Sequence, residues 1–104
     1  GEERIVGQAL SVLQEAGLYA YFLYLLSEAK DKTLKIADRS AELLNEYGLI
    51  EETSISGANV DEVIAPLTTK LPKLFFAIDL LERTLTYARY HTRALPKQVA
   101  QKAV

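Results

Sequence analysis

Five backbone breakers, Gly17, Gly48, Pro66, Pro72 and Pro96, interrupt a chain whose apolar residues otherwise recur at three- and four-residue steps. That spacing lays one apolar stripe along a helix, and no pair of segments shows the two-residue alternation of paired strands. A chain cut in this way makes four or five helices that must bury their stripes against one another. The predicted fold class is all-α, a single-domain irregular antiparallel bundle over residues 1–104. Apolar residues are 49% of the sequence, enough to fill such a core, and 104 residues suit one domain.

Residues 3–16 read as the first helix, with Ile5, Val6, Ala9, Leu10, Val12 and Leu13 on its stripe and Gly17 as a stop or bend. Residues 18–30 follow, apolar on most sides and therefore central. Tyr19, Tyr21, Phe22 and Tyr24 crowd this segment and must point in several directions. Tyr21 and Tyr24 are expected to leave the face of Tyr19 and Phe22 and to meet another subunit. Asp31 and Lys32 form a polar break, and Thr33 caps a third helix that runs to about Tyr47 and stops at Gly48. Residues 48–58 read as a loop anchored by Ile50 and Ile55. Asn59 and Glu62 have the spacing of a reciprocal cap for a short helix that Pro66 must kink or confine. Pro72 suits the first turn of a last helix over residues 72–95, Pro96 stops it, and the tail beyond frays.

Several functional classes drop out. The chain has no Cys, which excludes disulfides, zinc–thiolate sites, iron–sulfur clusters and thiol nucleophiles. His91 stands alone, with no second ligand at metal spacing and no acid or base partner, so it reads as an ordinary boundary residue. No catalytic residue, metal or cofactor is expected, and a binding part is favoured over an enzyme. The most apolar run, residues 16–26, is too short for the ~20 residues that cross a bilayer. Glu2 and Glu3 stand where a signal peptide carries basic residues, and the opening Gly in a chain without Met looks like a processed start or the scar of a cleaved tag. The expectation is a soluble, cytoplasmic protein.

Charge is split along the chain. Residues 1–62 carry five Lys/Arg and twelve Asp/Glu, a net of −7, and residues 63–104 carry seven and two, a net of +5. Stepping about 100° per residue along the last helix puts Ala77, Leu81, Leu85, Ala88, Thr92 and Leu95 on one stripe. The opposite arc holds Phe75, Glu82, Arg83, Arg89, Tyr90, Arg93 and Lys97. One reading is a solvated surface whose cations suit a helix C-terminus. The sharper reading is a phosphate-tracking strip of Lys73, Arg83, Arg89, Arg93 and Lys97, with Tyr90 stacking on a base or ribose.

Two stretches carry a resemblance. Residues 13–18, LQEAGL, followed by YFLYLLS at 21–27, resemble the first core helix of the small helical subunits of CRISPR effector complexes. LERTLTYARY at 81–90, with Arg93 and Ala94, is similar to the aliphatic-aromatic, basic ending of that family. Of the type I-A Cascade and Cmr-type small subunits, the length favours the first. The resemblance implies a non-catalytic part of a crRNA-guided complex, bound to other subunits and touching crRNA or target nucleic acid through the basic residues named above. A second reading takes residues 40–52 as the recognition helix and wing of a winged-helix DNA-binding regulator, although Glu42 and Glu46 oppose Arg39 there. A third is a helical adaptor that self-associates, acidic half to basic half, without nucleic acid.

Overall fold

Glycine with positive φ sets the first corner of the bundle. The computed structural model describes the backbone of residues 2–103 and the side chains of residues 4–90. Helix α1 (Glu2–Ala16) ends at Gly17, whose φ of 96° and ψ of −177° suit only a residue without a side chain. Gly17 donates back to the Leu13 carbonyl, and its own carbonyl accepts from Tyr21, so one residue closes α1 and opens α2 (Leu18–Glu28).

Helix α3 (Asp31–Glu46) begins before the predicted cap. Asp31 and Lys32 lie in its first turn, where the Asp31 carboxylate suits the helix dipole. Thr33 sits inside that turn, and its hydroxyl bonds both the N–H and the carbonyl of Lys30 at 3.0 Å. At the other end Gly48, with φ of 72°, donates to Asn45 while Leu49 donates to Leu44. These paired bonds make the left-handed closure that the sequence predicts at Gly48. Residues 47–59 form the expected loop, with Ile50 and Ile55 buried as its anchors.

Asn59 precedes α4 (Val60–Thr68) but makes no side-chain cap on it. Its amide instead accepts from the Ser56 N–H at 2.8 Å and donates to the Ser54 carbonyl at 3.2 Å. The expected reciprocal cap with Glu62 is replaced by a clamp on the loop, because this amide finds backbone partners there first. Helix α4 accepts Pro66 in its second turn, and the hydroxyls of Thr68 and Thr69 bond its last carbonyls.

Helix α5 (Leu71–Ala103) carries Pro72 in its first turn as predicted. It runs through Pro96 instead of stopping there, since an internal proline removes one helical bond, a loss a long helix can absorb. At about 1.5 Å per residue α5 accounts for the 51 Å length of the molecule.

The all-α prediction holds: five helices, and no strand among the described residues. Helix α1 packs on α2 and α5, α2 also on α3 and α4, and α4 on α5. The core joins Leu13, Leu18, Phe22, Leu25, Leu44, Ile64, Ala77, Leu81 and Leu85. No described helix is long and apolar enough to cross a membrane.

Candidate nucleic-acid interface

The inner stripe of α5 is where the sequence places it. Ala77, Leu81 and Leu85 are buried and Ala88 is half-buried, while Thr92 and Leu95 lie outside the described side chains. On the outer arc Arg83 and Tyr90 are exposed, as is Lys73 in the first turn of α5. The Arg83 Nε donates to Asp79 Oδ2 at 3.0 Å, a surface i,i+4 pair on one helix. Such a pair is worth little to stability and leaves the guanidinium reachable. Phe75 on this arc is 62% exposed.

Arg89 is not on the solvent arc. It lies four residues after Leu85, at the border of the buried stripe, and is half-buried with its Nε out of solvent. Its guanidinium lies against α1: a Cβ added to Gly7 would sit 3.8 Å from Arg89 Cζ. The described part of the predicted strip is therefore Lys73, Arg83 and Tyr90. Arg93, Lys97 and His91 lie outside the described side chains.

The predicted protein interface is also revised. Tyr21 is fully buried, edge-on to Phe22 with ring centres 5.2 Å apart. Leu18, Tyr21, Phe22 and Leu25 stand at i, i+3, i+4 and i+7, so they share one stripe, and it faces the core. The Tyr21 hydroxyl lies 2.6 Å from Ser40 Oγ. Ser40 spends its single proton on the Ile36 carbonyl at 2.7 Å, so Tyr21 is the donor. Burial raises the Tyr21 phenol far above its ordinary pKa. Tyr24 is half-buried and donates to Gln8 Oε1 at 2.9 Å. Partial burial and the Glu28 charge raise its pKa, and Arg4 opposes them. The exposed tyrosine of the cluster is Tyr19, which donates to Asp61 across to α4; that hydrogen bond raises its pKa.

Sequence reasoning missed a second feature. Helices α3 and α5 do not seal against each other, and a groove of about 460 Å3 lies between them. Lys32, Lys35 and Arg39 line its α3 wall, Thr84 and Tyr87 its α5 wall, and Ile36, Leu43, Leu81 and Leu85 its floor. Glu42 and Glu46 line the same wall one and two turns further along α3. The signal was present in the three- and four-residue steps between Lys32, Lys35 and Arg39, hidden by the acidic sum of the first half of the chain. The wing expected after α3 does not form, since residues 47–59 contain no strand and Arg39 faces the groove. No group of three or more His, Cys, Asp or Glu among the described residues is placed to hold a metal ion.

No protein-family model, curated protein or solved structure matches the chain.

Proposed function

We propose that the protein is a non-catalytic small subunit of a crRNA-guided CRISPR interference complex, contributing nucleic-acid backbone contacts and assembly contacts. One observation carries the reading. Helix α5 buries Ala77, Leu81 and Leu85 while Arg83 and Tyr90 of its other arc, and Lys73 in its first turn, stay in solvent. A helix held rigidly on its apolar side presents cations at fixed spacing to phosphates, and an exposed tyrosine offers a stacking surface. Two solvent cations on an acidic protein bind a polyanion weakly and with strong salt dependence. Such a contact works when other subunits hold the strand nearby, because tethering supplies the effective concentration that a weak site lacks.

The test uses the tagged chain expressed in its native cells. RNA recovered with it is expected to consist of spacer sequences carrying repeat-derived ends, and effector subunits are expected in the same eluate. Recovery of neither rejects the assignment. Binding by the purified chain is expected to weaken when Lys73→Glu and Arg83→Glu are combined, and unchanged binding removes the contact surface.

A further inference from the structure

The cations of α3 stand in a costly arrangement. Lys32, Lys35 and Arg39 occupy one face over about 10 Å of helix axis, in the N-terminal part of α3. Like charges at these spacings repel, and the positive end of the helix dipole disfavours cations. Among the described residues none of the three is within 4.0 Å of a carboxylate; the ion pair formed there is Arg83 with Asp79.

The groove adds direction. Tyr47, just past the end of α3, meets Phe76 near the start of α5, with ring centres 5.7 Å apart. The two helices therefore run antiparallel along the groove. Its basic end, Lys32, Lys35 and Arg39, lies toward Tyr87 and Ala88 of α5. Its acidic end, Glu42 and Glu46, lies toward Phe76.

We infer that this groove is a second nucleic-acid contact: Lys32, Lys35 and Arg39 hold the phosphates of a single strand along α3, and Tyr87 with the apolar floor receives its bases. The inference rests on the reading that the protein touches nucleic acid, and it adds a site to it. A volume of about 460 Å3 is that of a small-ligand cleft, which suits flat rings entering one at a time. Cations on one wall and an aromatic on the other are the two elements that bind single strands without regard to sequence. An acidic amphipathic helix lying along the whole groove would set its carboxylates against Glu42 and Glu46. A flexible strand can leave the groove after Arg39, so the two glutamates mark where the track ends.

Anisotropy titrations of the full chain with a labelled oligothymidylate and a labelled oligouridylate, over a salt series, test this. Combining Lys32→Glu with Lys35→Glu is expected to weaken binding and to flatten the slope of log K against log salt by about 1.4, for two lost phosphate contacts. The same variant is expected to melt no lower than the parent, because it relieves repulsion at the start of α3. Combining Glu42→Gln with Glu46→Gln is expected to tighten binding. If Lys73→Glu with Arg83→Glu weakens binding while the α3 variant leaves it unchanged, the groove is overturned and the α5 surface stands. If the parent binds neither oligonucleotide, both fall. Equal retention of a labelled polyglutamate, with the same losses in the α3 variant, makes the groove a general polyanion surface and overturns a site for nucleic acid.

Discussion

Helix α5 treats its neighbours α1 and α3 differently. Against α1 it packs closely, with the Arg89 guanidinium laid over Gly7. Against α3 it leaves a groove walled by lysines and an arginine. Both seams contain cations. On the α1 side a glycine makes room and the cation becomes part of the packing. On the α3 side long charged chains stand where a sealing residue would be needed, and the helices stay apart. Side-chain size at the seam decides which cations are taken into the fold and which remain for a partner.

The largest expected effect contrasts two residues that line the groove, one fully buried and one half-buried. Leu81→Ala empties a buried site on the inner stripe of α5 and should cost about 2–5 kcal/mol in denaturant unfolding. Leu43→Ala trims a half-buried side chain on the groove floor, where the lost area is already partly wet, and should cost about 1 kcal/mol. Equal costs would mean that the groove is closed in solution and that the contrast between the seams is wrong.

Gly17→Ala comes next. A φ of 96° combined with extended ψ is strained for any residue with a Cβ, although nothing lies within 4 Å of the added atom. The loss should be about 1–3 kcal/mol, entirely from backbone strain. A neutral result would show that α1 and α2 can meet through another geometry, loosening the frame that holds α5 against α1.

Tyr21→Phe removes a donor from the buried pair with Ser40, which keeps its own bond to Ile36. The expected cost is about 1–2 kcal/mol at neutral pH. The pH dependence has a defined sign. The native pKa of Tyr21 lies above that of the unfolded chain, about 10, so its contribution is intact below that value. As pH rises further the unfolded state sheds the phenolic proton while the native state keeps it, and stability falls. Denaturant midpoints measured across the alkaline range should decline less steeply in Tyr21→Phe than in the parent. The residual decline is assigned to Tyr19 and Tyr24, whose pKa values are also raised. Parallel declines would place the Tyr21 hydroxyl in contact with water.

These residues also show what a sequence makes readable. The inner stripe of α5 and the closures at Gly17 and Gly48 were readable because each depends on spacing or on one residue's backbone freedom. Tyr21 was misassigned because crowding was weighed above its register with Leu18 and Leu25, and because its buried hydroxyl finds Ser40, nineteen residues away. Arg89 lies about 40° from the edge of the apolar stripe, too near for periodicity to separate buried from exposed. What placed it inward was Gly7 on another helix. The groove depends on how far two helices stand apart, which tertiary packing sets. Asn59 failed as a cap for a related reason, since the loop folding back over residues 54–56 offered its amide closer partners.

The smallest predicted effect has the opposite sign and tests the packed seam directly. Gly7 lies inside α1, where replacing glycine by alanine gains about 0.5–1 kcal/mol of helix propensity. The added Cβ would meet Arg89 Cζ at 3.8 Å and Nε at 3.9 Å, ordinary van der Waals distances. Gly7→Ala should therefore raise the melting temperature by a few degrees, the change about 1 kcal/mol brings in a domain of this size. A gain fits a seam with room for one methyl group, in which Arg89 keeps its place. A loss would mean that α5 approaches α1 more closely in solution and that glycine is required there. Arg89→Met, of similar length and without charge, separates packing from electrostatics. If it leaves the gain from Gly7→Ala unchanged, the guanidinium serves that seam as bulk, and the cations that matter to a partner are those of α3 and the outer arc of α5.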